Sequence, residues 1–241
     1  MKTYGLIGKN ISYSFSRNYF KKKFKEEDIL NSQYINFDTD NLSELNKIFN
    51  KKNYGFNVTV PYKETIISYL DALDIHAEKI GAVNTIQISN GKKIGFNTDW
   101  IGFKNSLAPL LKPHHKKALI LGTGGASKAV KYALSQLNIS YQTVSRSNGD
   151  FSYQELNQNI LSEYFIIINC TPLGTFPNVE IAPEMPYQFI SEKHLAYDLV
   201  YNPEETQFLK NCKAQGAQTK NGLEMLEIQA EEAWKIWNAA L

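Results

Sequence analysis

The amino-acid sequence predicts an α/β protein with mainly parallel sheets, and three observations carry that reading. Apolar strand patterns alternate with helical patterns through the first third of the chain in the order β-α-β-α-β-α. A compact strand, Lys117 to Leu121, runs at once into a glycine-rich turn and a helical stretch from Lys128 to Leu137. The last segment, Leu223 to Leu241, places Leu226, Ala230, Ala233, Trp234 and Trp237 on one face of an amphipathic helix, a stripe that reads as core packing. Alternating strands and helices favour right-handed crossovers and parallel pairing. In such sheets ligands collect beyond the carboxyl ends of the strands.

At 241 residues the chain has length for two modest domains or one large one. Hydrophobic residues make up 43% and charged residues 21%, which suits an ordinary globular protein. The 26 basic and 24 acidic residues are scattered, so neither a nucleic-acid stripe nor a membrane-seeking face is expected. Lys21-Lys22-Lys23 is the one short basic run and is expected on the wet face of a helix. Cys170 and Cys212 lack any metal-ligand spacing, which points to reduced thiols in a cytoplasmic protein without a metal site. The apolar run at the N-terminus is too short for a signal peptide, and no stretch approaches membrane-spanning length.

Tyr4 to Ile7 reads as a buried strand closed by Gly8, and a helix begins at Ser14 or Ser16 with Tyr19, Phe20 and Phe24 turned inward. Ser14 and Ser16 can cap that helix, or hold a carboxylate where free N–H groups and the dipole favour an anion. Gln33 to Phe37 is a second strand, and Leu42, Leu45, Ile48 and Phe49 form the stripe of a second helix. Gly55 to Val60 is a third strand, running into Pro61 as the first residue of a helix that carries Lys63 on its first turn. There the dipole and burial both favour a neutral amine, so Lys63 can trade a proton near neutral pH; a solvated surface lysine is the alternative. Gly81 to Ile86 and Ile94 to Asp99 flank an Asn90-Gly91 hairpin. Asn84 and Asp99, at the ends of these strands, are turn or cap residues or else ligands. Asp99 can cap the helix beginning near Trp100; facing Lys63, it would instead complete a proton-transfer unit.

In the second half, Gly122-Thr123-Gly124-Gly125-Ala126-Ser127 stands where a dinucleotide pyrophosphate rests on a helix N-terminus, with Ser127 in place of the third glycine. The strand Tyr141 to Ser145 ends on Arg146 between Ser145 and Ser147. A guanidinium and hydroxyls suit a 2′-phosphate, so NADP is favoured over NAD, with a surface arginine as the alternative. Tyr164 to Asn169 is a further strand, and the loop Cys170-Thr171-Pro172-Leu173-Gly174 either borders a nicotinamide or is a plain turn. Leu195 to Val200 leads into Tyr201-Asn202-Pro203. Gln229, at the edge of the last helix, reaches a ligand only if that helix folds back on the first domain.

The ordered set Ser14-x-Ser16, Asn57-Val-Thr-Val-Pro-Tyr-Lys63, Gly81-Ala-Val-Asn-Thr85, Asn97-Thr-Asp99, Gly122-x-Gly-Gly-Ala-Ser127, Tyr197-Asp-Leu-Val-Tyr201 and Asn221-Gly-Leu-x-Met-Leu-x-x-Gln-Ala230 resembles the shikimate dehydrogenase family along essentially the whole chain. The resemblance implies reversible, NADPH-dependent reduction of 3-dehydroshikimate to shikimate in aromatic amino-acid biosynthesis. It implies two domains, a mainly parallel α/β substrate domain of residues 1–99 joined by the returning helix 223–241, and a Rossmann-type NADP-binding domain of residues 100–222, with the active site in the cleft between them. Lys63 and Asp99 would be the catalytic pair. Ser14, Ser16 and Tyr201 would hold the substrate carboxylate, and Thr59, Asn84, Asp99 and Gln229 its ring hydroxyls. Gly122, Gly124, Gly125 and Ala126 would line the pyrophosphate, Ser145, Arg146 and Ser147 the 2′-phosphate, and Thr171, Gly222 and Met225 the nicotinamide side. A monomer or homodimer acting on this small molecule is expected.

The chain departs from the family pattern at Asn10, where proline is common, at Tyr13, where histidine is, at Arg17, where proline is, and at Ser145, where asparagine is. A second basic residue is missing after Arg146, and Asp150 would repel a phosphate if it came close, so some NAD use is conceivable. A quinate/shikimate enzyme with relaxed cofactor choice and a catalytically silent nucleotide-binding paralogue are the alternatives. Methylenetetrahydrofolate dehydrogenases share the two-domain plan and a lysine, but the Ser14-x-Ser16 pair favours a small carboxylated ring.

Overall fold

The computed structural model describes residues 1–12, 14–49 and 53–239, so Tyr13 and residues 240–241, which the sequence expectation included in the last helix, lie outside the described residues. The chain forms two compact units, residues 1–101 with 227–241, and residues 102–226.

In the first unit, β1 (Lys2–Gly8) leads through a loop to α1 (Phe15–Glu26), β2 (Ser32–Asp38), the single turn α2 (Leu45–Ile48), β3 (Asn53–Val58), β4 (Ala72–Leu73), α3 (Ile75–Ile80), β5 (Thr85–Ser89) and β6 (Lys92–Phe96). The six strands lie in the order β2-β1-β3-β5-β6-β4. β1 runs parallel to β2 and β3, whereas β5 is antiparallel to both β3 and β6. The parallel part matches the expected crossovers. The antiparallel part comes from the Asn90-Gly91 hairpin, whose residues take φ of 51° and 78°, the left-handed geometry that a two-residue turn of this kind demands.

Both faces of this sheet are covered, which is why β1 is apolar almost throughout. Ile7, Phe56, Val58, Tyr62, Ile66, Val83 and Ile86 fill one face. Tyr4, Leu6, Phe20, Phe24 and Tyr34 fill the other, together with Ala230, Ala233 and Trp237 of α8 (Leu223–Asn238). The last helix therefore packs back on the first unit, where the Trp237 indole N–H donates to the Ile86 carbonyl at 3.0 Å. Gly55 makes room for it, since a Cβ there would lie 2.2 Å from Trp237 Cδ1.

Two expectations need correction. Lys63 is not on a helix: β3 ends at Val58, Val60 and Pro61 form a turn across a cis peptide bond, and the next element is a 3-10 helix of five residues, Thr65–Tyr69. Tyr62 decides this, because its ring is buried in the core and its hydroxyl donates to the Thr39 carbonyl at 2.7 Å, which fixes the chain in a turn where proline suggested a helix start. The basic run is not wholly wet either. Lys23 is buried and donates to Glu27 at 2.7 Å and to Glu231 of α8 at 2.8 Å, with the Tyr19 hydroxyl also bonded to Glu231.

The second unit begins within α4 (Asp99–Leu107) and contains β7 (Lys117–Leu121), α5 (Gly125–Gln136), β8 (Ser140–Val144), the one-turn α6 (Gln158–Leu161), β9 (Ile166–Asn169), β10 (Leu195–Asp198), α7 (Gln207–Ala214) and β11 (Gln218–Lys220). Its five strands are all parallel, in the order β11-β10-β9-β7-β8. The order reverses between β7 and β9, and the carboxyl ends of those two strands are where such a sheet takes a ligand. α7 and β11 have no counterpart in the sequence-based expectation, since eight and three residues give little periodicity to read.

Candidate active site

In the first unit, the loops after β1, β2 and β3 meet at the carboxyl ends of the three parallel strands. The Lys9 N–H reaches the Val60 carbonyl, Thr39 N–H bonds Gly8, and Thr59 N–H bonds Ile7. Ser14 is the N-cap of α1, accepting from Arg17 N–H at 3.2 Å, and Ser16 lies within the first turn. Asn10 takes φ of 56°, which no proline ring permits, so this loop is built differently from one with proline at that position. Asp38 receives the Asn10 and Ile11 N–H groups at 2.8 and 3.0 Å.

Lys63 Nζ donates to Asp99 Oδ2 at 2.8 Å, with the lysine side chain 16% and the aspartate side chain 10% exposed. The expectation that Asp99 caps α4 is replaced by a division of labour. Asn97 Oδ1 accepts from the N–H groups of Asp99 and Trp100 at 3.1 and 3.4 Å, and its own amide donates to the Ala82 carbonyl at 2.9 Å. The Asp99 carboxylate, on the first residue of the helix, is thereby left to face Lys63. Asn84 Nδ2 bonds the other carboxylate oxygen at 2.9 Å, and also Thr98 Oγ1 at 2.9 Å and Gln229 Oε1 at 3.3 Å. Thr98 N–H returns to Asn84 Oδ1 at 2.7 Å. The lysine itself is seated by its backbone, whose carbonyl accepts from Val83 N–H at 2.7 Å. Lys63, Asp99, Asn84 and Gln229 are thus one connected group. Thr59 stands half-buried four residues before Lys63.

In the second unit, Gly122, Thr123, Gly124, Ser145, Arg146, Ser147, Cys170, Thr171, Pro172 and Leu173 line part of a cavity of about 550 Å³ at the β7/β9 switch point. Gly122 has φ of 98°, which favours glycine, and a Cβ on Gly124 would meet nothing within 4 Å, leaving the start of α5 open to a ligand. Gly125 and Ala126 are the first two residues of that helix. Ser127, standing where a third glycine was expected, is buried and turns its hydroxyl back to the Gly124 carbonyl at 2.6 Å. Arg146 and Ser147 are exposed on the cavity wall. Ser145 accepts from Ser147 and Asn148 N–H at 3.3 and 2.8 Å, so its oxygen closes the turn that presents them. Asp150 is occupied with Thr143, whose N–H and hydroxyl both donate to it at 2.7 Å; these bonds hold its carboxyl below the usual range.

Thr171 bonds Asn169, which donates to Asp198 at 3.0 Å. Burial pushes the Asp198 carboxyl up to about 6, against bonds from Thr206, Val200 N–H and Asn169. Burial also raises the Cys170 thiol well above the ordinary range. Gly222 lies so close to Leu199 that a Cβ would be 2.2 Å from its carbonyl oxygen, and Met225 is buried beside it on α8. Tyr201 follows β10 and is half-buried in the second unit.

Residues 6–86 match the model of the shikimate dehydrogenase substrate-binding domain. A protein of Methanococcus maripaludis named shikimate dehydrogenase (NADP(+)) is 39% identical over 98% of this chain and 91% of its own length. The chain belongs to the shikimate dehydrogenase family. Shikimate 5-dehydrogenase of Thermus thermophilus, solved in complex with NADP(H) and shikimate, superposes with a TM-score of 0.87 at 29% identity, covering all of this chain and 95% of that one. The Listeria monocytogenes enzyme, solved with shikimate and NAD, gives 0.85 at 27% identity over 98% of this chain and 91% of its own.

Asn57, Thr85, Asn97 and Thr98, all nearly or fully buried, take part in the network around Asp99 and had no assigned role in the sequence reading. Only Asn97 carried a local signal, because an asparagine side chain readily accepts from the backbone N–H two residues on. The others bond across strands, where spacing along the chain says nothing.

Proposed function

We propose that this protein is an NADP-dependent shikimate dehydrogenase, catalysing the reversible reduction of 3-dehydroshikimate to shikimate. The observation that carries the reading is the Lys63–Asp99 pair at 2.8 Å with Asn84 and Gln229 converging on it. Lys63 gives a proton to the substrate carbonyl oxygen as it becomes the alcohol and takes it back in the reverse direction. Asp99 keeps the ammonium in place and, with Asn84, Gln229 and Thr59, offers partners for the ring hydroxyls. Ser14 and Ser16 at the start of α1, with Tyr201, hold the carboxylate.

The nucleotide side fits NADP. The open start of α5 at Gly124 to Ala126 suits a pyrophosphate, and Arg146 with Ser147 suits a 2′-phosphate. Thr171, Gly222 and Met225 border the nicotinamide. NADPH, when bound, supplies the hydride. In this reading residues 1–99 and 223–241 form the substrate domain and 100–222 the NADP domain, in a cytoplasmic monomer or homodimer. Among the described residues, no helix is long and apolar enough to cross a membrane.

A four-way assay tests this, pairing shikimate or quinate with NADP or NAD, the NAD arm being prompted by the Listeria complex. Shikimate with NADP is expected to give the highest kcat/KM, and Arg146→Ala to raise the KM for NADP while sparing that for NAD. A clear preference for quinate would sink the proposal.

A further inference from the structure

The hydrogen bonds that end on Asp99 begin far from it, on a phenol that no part of the proposed chemistry uses. Tyr34 lies on β2, buried, with its ring stacked on Phe20 of α1 at 4.7 Å between centroids. Its hydroxyl passes over β1 and donates to Asn57 Oδ1 on β3 at 2.8 Å. Asn57 Nδ2 donates to Thr85 Oγ1 on β5 at 3.2 Å and to the Asn84 carbonyl at 3.3 Å. Thr85 Oγ1 donates to Asn84 Oδ1 at 3.1 Å, and Asn84 Nδ2 to Asp99 Oδ1 at 2.9 Å. Each group gives its proton toward the next, and the series ends on the carboxylate that receives Lys63.

Such a one-way series has physical consequences. Every donor polarises the following one, so the bonds reinforce each other, and the orientation of both amides is fixed. Asn57 presents its oxygen to Tyr34 and its nitrogen to Thr85; reversed, it would set N–H groups against the Tyr34 hydroxyl and its oxygen against the Asn84 carbonyl. The other end of the series reaches the start of α1. There the Tyr34 ring stacks on Phe20, one turn after Ser16, and burial keeps this phenol protonated far above neutral pH, so it stays a donor.

We infer that Tyr34 is a positioning residue that couples α1, which carries Ser16, to the hydrogen-bond series ending on Asp99, and so fixes the spacing between the carboxylate-binding and proton-transferring ends of the site. The inference deepens the proposed dehydrogenase reading and rests on it. Thr85 is the matching link inside the series, nearer Asp99 than Ser16.

The test uses two variants of nearly unchanged shape, Tyr34→Phe and Thr85→Val, in the full-length protein. Tyr34→Phe is expected to raise the KM for shikimate about fivefold, the effect of one lost buried hydrogen bond, while lowering kcat less and leaving the KM for NADP alone. Thr85→Val is expected to act the other way round, lowering kcat about fivefold with a smaller rise in KM. Combining Tyr34→Phe with Ser16→Ala should give less than the product of the two separate effects, because both act on the placing of one substrate group. If both variants lower only the melting temperature and leave the kinetic constants of the wild type, Tyr34 is merely structural and the inference fails. A wild type that neither binds nor turns over shikimate would instead overturn the dehydrogenase reading.

Discussion

Lys63 illustrates how a residue's role depends on its partners. A lysine after a strand and a proline is most simply a surface residue, and its expected helical seat is absent. It is held by Asp99 on one side and through its carbonyl by Val83 N–H on the other. Replacing it leaves Asn84 and Asp99 still bonded, so the rest of the proposed substrate site keeps its polar frame. Lys63→Ala is therefore expected to cut kcat by roughly a hundred- to ten-thousand-fold, the range for removing a general acid, with shikimate affinity by calorimetry changed far less. Near-normal turnover in that variant would remove Lys63 from the proton path. Asp150 shows the reverse case. Its charge suggested repulsion of a phosphate, but Thr143 engages the carboxylate.

At the scale of elements, α1 and α8 matter together. Ser14 caps α1 and Ser16 lies on its first turn, α8 carries Gln229, and the two helices are clamped by Lys23 and Tyr19 bonding Glu231. Burial raises the Glu231 carboxyl, but its bonds to Lys23 and Tyr19 and the nearby charges outweigh this, so it lies below its ordinary value of 4.5. A carboxylate depressed in the fold contributes stability above its unfolded value and loses it as pH falls through the folded one. Glu231→Gln is therefore expected to melt a few degrees lower than the wild type at pH 7. The gap should narrow below pH 4.5, measured by thermal unfolding across that range. An unchanging gap would show that packing, not charge, makes the difference.

For the whole molecule, the same polar logic recurs away from the site. His115 and His194 each accept a backbone N–H on Nδ1, from Lys112 and Ser191, both at 3.0 Å, and each lies by Nε2 within 3.1 Å of a carbonyl, of Lys193 and Leu161. Both rings are therefore neutral with the proton on Nε2. Burial lowers both from 6.5, aided by the neighbouring His114 and, for His115, by Lys112 and His194, and opposed by the bonds to those carbonyls. The unfolded chain takes up protons first, so the stability these rings contribute above pH 6.5 is lost as pH falls from there toward their folded values. Asp198, raised to about 6, works in the opposite direction, so the histidine part must be isolated by substitution. The double variant His115→Gln, His194→Gln should lose less melting temperature between pH 7.5 and 5.5 than the wild type does; an equal loss would place the acid sensitivity elsewhere.

What the sequence determined by itself was whatever depends on neighbours along the chain. The strand, glycine turn and helix around Gly122, the Asn90-Gly91 hairpin, the Ser14 cap and the apolar face of α8 are all set within a few residues, where backbone geometry and periodicity act. The ordered motifs also brought Lys63, Asp99, Asn84 and Gln229 together as candidates although they are far apart in sequence. Only the tertiary structure decided what crosses strands. It took Lys63 off a helix, because Tyr62 is buried in the core. It gave the capping task to Asn97 and left Asp99 to Lys63, and it turned Asp150 toward Thr143. It joined Tyr34, Asn57 and Thr85 into a series ending on Asp99. The roles of Asn97, Asp99, Tyr34, Asn57 and Thr85 follow from a buried polar group's need for a partner, and here that partner lies on another segment of the chain.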